Sequence, residues 1–131
     1  MMTYEKYQFI YNSDDLHDRK LLAYAKANKI VFAELDMAKE KLTKNHLAQF
    51  CERMERPLVS LLDQSSLKKS YGDEALELPF EELVKISVAD PKLLNTPFFI
   101  IGKDYKIIND IADINKIDEF KAADSSEVFQ R

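Results

Sequence analysis

One cysteine, two glycines and no tryptophan occur among the 131 residues, and each scarcity removes a class of chemistry. With Cys51 alone, no internal disulfide can form, which agrees with a reducing, cytoplasmic setting. Gly72 and Gly102 stand far apart. That excludes a glycine-rich phosphate loop, which needs several glycines close together. Long apolar runs are missing too, and none approaches the roughly 20 residues that cross a bilayer. The opening stretch MMTYEKYQ lacks the basic and then apolar regions of a signal peptide. Positive charge is also scarce: 19 Lys and Arg against 23 Asp and Glu leave a net charge of -4. The pairs Arg19-Lys20 and Lys68-Lys69 are too short to make a basic patch, so direct nucleic-acid binding is not expected. No cofactor is expected either. A protein partner stays open, and oligomeric state is not legible.

What is present fits an ordinary globular chain. Hydrophobic residues make up 46% and charged residues 32%, enough of each for one core and a solvated surface. The length suits a single domain over residues 1–131, structured from about 6 to 120, with 121–131 as a flexible tail.

The pattern along the chain alternates strand and helix signals. KYQFIY (6–11) is β-branched and aromatic enough for a strand. From Asp18 the spacing of Leu21, Leu22, Tyr24 and Ala25 predicts a helix ending near Asn28. KIVFAELD (29–36) reads as a second strand. Thr43 is a good helix N-cap, with Leu42 and Leu47 placed as a hydrophobic staple. Leu47, Phe50, Cys51 and Met54 then recur at helical spacing, until Pro57 ends or kinks the helix. PLVSLLDQS (57–65) reads as a short helix, followed by a polar stretch to Gly72. Pro79 fits the first position of a further helix carrying Leu83, Val84 and Ile86. TPFFIIG (96–102) is the most apolar run and the expected central strand. KDY (103–105) reads as a tight turn into a hairpin strand, KIIND (106–110). Ile114, Ile117 and Phe120 form a last helical stripe. The order β-α-β-α-α-α-β-β-α implies an α/β fold with a mixed sheet, a helical insertion and a right-handed first crossover.

Two segments carry a resemblance. Tyr11-Asn12-Ser13-Asp14-Asp15-Leu16-His17-Asp18-Arg19 has the length, the Tyr-Asn opening and the closing Arg of a Tyr-Asn-Pro-x-Cys-x-x-x-Arg loop. DPKLLNTPFFII (90–101) is similar to an Asn-Pro-x-Leu-Ile-x-Arg-Pro segment before a third strand. Together with the element order, they resemble the thioredoxin-like arsenate reductase family and the related Spx-type transcription regulators, over residues 6 to about 120. The resemblance implies a thioredoxin-like (glutaredoxin-like) four-stranded sheet, with Pro97 cis and facing the loop. It also places the family nucleophile at Asp15, a second cysteine at Asp18, the loop proline at Ser13 and the arginine before the cis-proline at Thr96. Arg19 and Pro97 are retained. The other family arginines are absent from LLDQSSLKK and KIINDIAD.

These replacements bear on chemistry. Arsenate reduction of this kind needs a thiolate held at a helix N-terminus, with arginines on the oxyanion. Asp15 can form neither an arsenic–sulfur bond nor a mixed disulfide, and its charge repels an anion. The loop therefore reads as an active-site frame without its reductase chemistry, in a protein that acts by binding, in the manner of a regulator. Cys51 lies on an apolar stripe, where burial makes a thiol inert. The acidic loop admits three roles: helix capping by Asp14, Asp15 or Asp18, a metal site from Asp14, Asp15, His17 and Asp18, or a carboxylate base. His46 reads as a solvated surface residue, and Arg19 as the partner of a nearby Asp. The alternative is an enzyme: a glutathione- or glutaredoxin-linked reductase using another thiol, or a metal- or carboxylate-based activity at residues 14–18.

Overall fold

A computed structural model describes residues 7–118 and 120. Four strands form one sheet: β1 (Tyr7–Tyr11), β2 (Ala33–Asp36), β3 (Phe98–Ile101) and β4 (Asp104–Ile107). Their spatial order is β2-β1-β3-β4. β1 and β2 run parallel, while β3 is antiparallel to both β1 and β4. Among the described residues, the α-helices that accompany them are α1 (Leu16–Ala27), α2 (Lys44–Met54), α3 (Gln64–Tyr71), α4 (Phe80–Ala89) and α5 (Ile111–Asn115). Short 3-10 turns occupy Leu58–Leu61, Asp73–Glu77 and Pro91–Leu93. The mixed sheet and the element order are those expected.

Alternation along the strands divides the core in two, because successive side chains leave opposite faces of a sheet. Ile10, Leu35, Phe98 and Ile100 pack against the insertion, through Leu47, Phe50, Met54, Leu67, Leu83 and Val84. Phe9, Tyr11, Phe99 and Ile101 pack on the other face with Leu21 and Ala25 of α1 and Ile114 of α5. β3 is covered on both sides, and all four of its residues are buried. Phe99 contacts Phe9, Phe32 and Phe120 at centroid distances of 4.5, 5.4 and 5.1 Å.

Several boundaries differ from expectation for local reasons. β2 begins at Ala33, not Lys29, because the residues before it close α1. Lys29 takes a left-handed φ of 61°. Its N–H reaches Lys26 O, and the Ile30 N–H reaches Ala25 O, an arrangement that satisfies the last helical carbonyls. α2 ends the same way at Glu55 (φ 53°), two residues before Pro57. The predicted helix at 57–65 is only a 3-10 turn over Leu58–Leu61. The polar stretch, to which no element is assigned from the sequence, forms α3, capped by Asp63, which accepts from Ser66 N–H. Leu67 is the buried residue of α3, too little apolar signal for periodicity to reveal. Pro79 caps α4 rather than opening it. The β3–β4 turn is Gly102-Lys103, with Gly102 at φ 62° and Asp104 already paired with Ile101. The proposed tail, 121–131, lies outside the described residues. No helix among the described residues is long and apolar enough to cross a membrane.

Candidate functional site

The site lies where β1 hands over to α1. Met37 N–H donates to Tyr11 O at 2.8 Å, and Ser13 N–H to Asp36 Oδ1 at 3.0 Å, so the loop is tied to the end of β2. Asn12 Oδ1 accepts from Asp14 N–H at 2.9 Å, and Asp15 N–H returns to Asn12 O at 3.0 Å. Asp15 then caps α1: its Oδ1 accepts from His17 N–H at 2.8 Å and Asp18 N–H at 3.3 Å. Of the three expected roles for the loop, capping is the one the geometry displays, and Asp15 performs it.

Asp18 behaves differently from its neighbours. It is 2% exposed, and its Oδ2 accepts from Asn12 N–H at 2.9 Å. Burial raises its pKa, an effect opposed by the Asn12 N–H and the Thr96 hydroxyl. The position matched to a second cysteine therefore holds a buried carboxyl that pins the loop to the helix and meets the segment before Pro97. That segment is anchored separately. Asp63 N–H donates to Leu93 O at 2.7 Å, and Asn95 N–H to Leu61 O at 2.9 Å. The Thr96-Pro97 peptide is cis, as the resemblance implied.

Loop and segment together enclose an open cleft of about 410 Å³. Asn12, Asp14 and Asp15 form one wall, and Lys92, Leu94, Asn95 and Thr96 the other. The sequence reading missed Lys92, Leu94 and Asn95. Their signal was available, since they sit in the segment matched before Pro97, and that proline was expected to face the loop.

Asp15, His17 and Asp18 come together, with one potential ligand atom from each within 4.8 Å of the others; Asp14 is not in the group. One oxygen of each carboxylate and one ring nitrogen of His17 are already hydrogen-bonded. Asp15 Oδ1 serves the helix cap, Asp18 Oδ2 serves Asn12, and His17 Nε2 lies 2.6 Å from Asn109 O. The His17 nitrogen that faces this carbonyl is a donor, which leaves Nδ1 as the ring's acceptor atom. Arg19 is exposed in the first turn of α1, and the ion pair expected with a nearby Asp is not formed among the described residues. His46 is not merely solvated. Its Nδ1 accepts from Thr43 N–H at 3.1 Å, while Thr43 Oγ1 accepts from His46 N–H at 3.2 Å, a reciprocal cap in which an imidazole replaces the usual Glu or Gln.

Cys51 does not reach this site. It sits on α2, which packs on the face of the sheet opposite α1. The last turn of α2 is held at the far end of the strands, where Arg53 donates to Gly102 O at 2.9 Å and Gln8 Oε1 at 3.2 Å. Burial pushes the Cys51 thiol pKa up, so the thiolate is disfavoured.

No protein-family model matches the sequence, and no curated protein sequence matches it. Solved structures do. A protein from Yersinia pestis provisionally assigned as an arsenate reductase superposes with a TM-score of 0.66 at 15% identity, covering 85% of this chain and 99% of that one. An arsenate reductase-related protein from Brucella melitensis gives 0.63 at 14%, covering 89% and 98%. An arsenate reductase from Vibrio cholerae gives 0.59 at 13%, covering 80% and 91%. The chain thus has the thioredoxin-like fold of arsenate reductase-related proteins, a mixed four-stranded sheet carrying a helical insertion.

Proposed function

We propose that this protein works by binding at the cleft between the loop and the segment before Pro97, as a regulator with a protein partner, and does not carry out thiol reduction. One observation carries the reading: the residue at the head of α1 is a capping carboxylate, and the sequence's single thiol packs on the other face of the sheet. A reductase of this fold attacks with a thiolate at the helix N-terminus, where the dipole and nearby cations stabilise the anion. Asp15 spends the same dipole on its own charge, a gain of about 0.3–1 kcal/mol. An oxyanion about 4 Å away would meet repulsion of roughly 4 kcal/mol at an effective dielectric near 20. Lys92 is the cation on the cleft wall, and it offers a point charge in place of a bidentate guanidinium.

The test is turnover by purified protein with arsenate or a disulfide substrate, supplied in turn with glutathione, glutaredoxin and thioredoxin. No turnover is expected from any of them. Turnover that disappears in Cys51→Ala would overturn the reading in favour of a reductase using that thiol.

A further inference from the structure

The cleft is electrically divided. Asp14 and Asp15 stand on one wall beside Asn12, and Lys92 on the other beside Asn95 and Thr96. Asp14 and Lys92 do not close onto each other, and neither forms an ion pair among the described residues. Unpaired surface charges cost little in water, so their presence alone would mean little. These two, however, are mounted on separately anchored segments. Asp14 is held through Asn12 at the capped start of α1, and Lys92 within the 3-10 turn tied to Asp63 and Leu61. The walls keep opposite charges apart across a concavity of the size that small ligands fill.

From this division we infer that the cleft recognises a ligand bearing an ammonium and a carboxylate within one small group, of amino-acid to dipeptide size. The ammonium lies toward Asp14 and Asp15, the carboxylate toward Lys92, and the side-chain amides of Asn12 and Asn95 bond the ligand's other polar atoms. A lone anion would meet the two aspartates, and a lone cation would meet the lysine, so only paired charges satisfy both walls. The inference rests on the cleft being a binding site and names the chemistry it binds. That chemistry can arrive as a free zwitterion or as adjacent basic and acidic side chains on a partner protein.

Amide NMR titration of the whole chain separates the cases. The probes are Ala-Ala, acetyl-Lys-Ala-Glu-amide, and two singly charged controls, acetyl-Ala-Ala and Ala-Ala-amide. Saturable shifts at Asn12, Asp14, Asp15, Lys92, Asn95 and Thr96 are expected with the first or second probe. The first marks a free ligand and the second a protein segment. Lys92→Gln and Asp14→Asn, both at exposed positions, should each weaken binding by about tenfold. Equal shifts from the singly charged controls, shifts located elsewhere, no shift at millimolar concentration, or unchanged binding in both variants would overturn the inference. The same preparation is assayed for reductase turnover. Absent binding with absent turnover refutes this inference alone, whereas turnover lost in Cys51→Ala refutes the functional reading whatever the titration shows.

Discussion

Asp18 is the residue on which loop, helix and cleft converge. Its carboxyl is buried, its pKa is raised chiefly by that burial, and it holds the Asn12 N–H. The sign follows from linkage. A raised folded-state pKa means that the folded protein binds the proton more tightly than the unfolded chain. Stability therefore falls as pH rises from the ordinary carboxyl range through the folded value, and is level above it. Asp18→Asn keeps an acceptor for Asn12 and removes the titration. Relative to this variant, the wild type should lose Tm as pH is raised from 3 to 7, measured by thermal melts across that range. A parallel pair of curves would contradict the assignment. Asp18→Ala removes the acceptor and should cost about 1–3 kcal/mol by urea denaturation at neutral pH.

The helices show how far local chemistry reaches. Thr43 and the Leu42–Leu47 staple were legible in the sequence, and both leucines are buried at the start of α2. The His46 half of that cap was not, because an imidazole at this position is not the usual capping partner. Thr43→Ala should destabilise the protein by roughly 0.5–2 kcal/mol and speed amide exchange in the first turn of α2, both measurable by denaturation and hydrogen exchange. Asp15→Ala at the start of α1 belongs to the same range. In that variant, faster exchange at His17 and Asp18 would identify the carboxylate as a working cap. α3 was missed because a short helix with one buried leucine has no periodicity to read, while its Asp63 cap was visible but unused. Both left-handed helix ends, at Lys29 and Glu55, also escaped notice, since neither is the glycine that usually marks such a stop.

For the molecule as a whole, stability rests on a sheet covered on both faces. Phe99 lies in the cluster beneath α1 and α5 and is fully buried, so Phe99→Ala should cost about 3–5 kcal/mol in chemical denaturation. A loss below about 1 kcal/mol would mean that this core is not packed as described. Cys51 reports on the opposite core. Its thiol is half-buried with a raised pKa, and it should react with Ellman's reagent roughly tenfold or more slowly in the native protein than in urea. Equal rates would place it on an open surface and revive a thiol-based activity.

The order of elements along the chain, the apolar central strand, the cap at Thr43 and the identity of the loop residues were determined by the sequence alone. Each depends on neighbours a few positions apart, or on a spacing that resembles a known pattern. Tertiary structure decided the rest. Asp15 and Asp18 are both acids three positions apart, yet one caps a helix in the open and the other is buried against Asn12 and Thr96. Lys92 and Asn95 became part of the site only because the insertion, through Leu61 and Asp63, brings the segment before Pro97 against the loop. Burial and facing are properties of contacts between distant segments, and no window of sequence contains them.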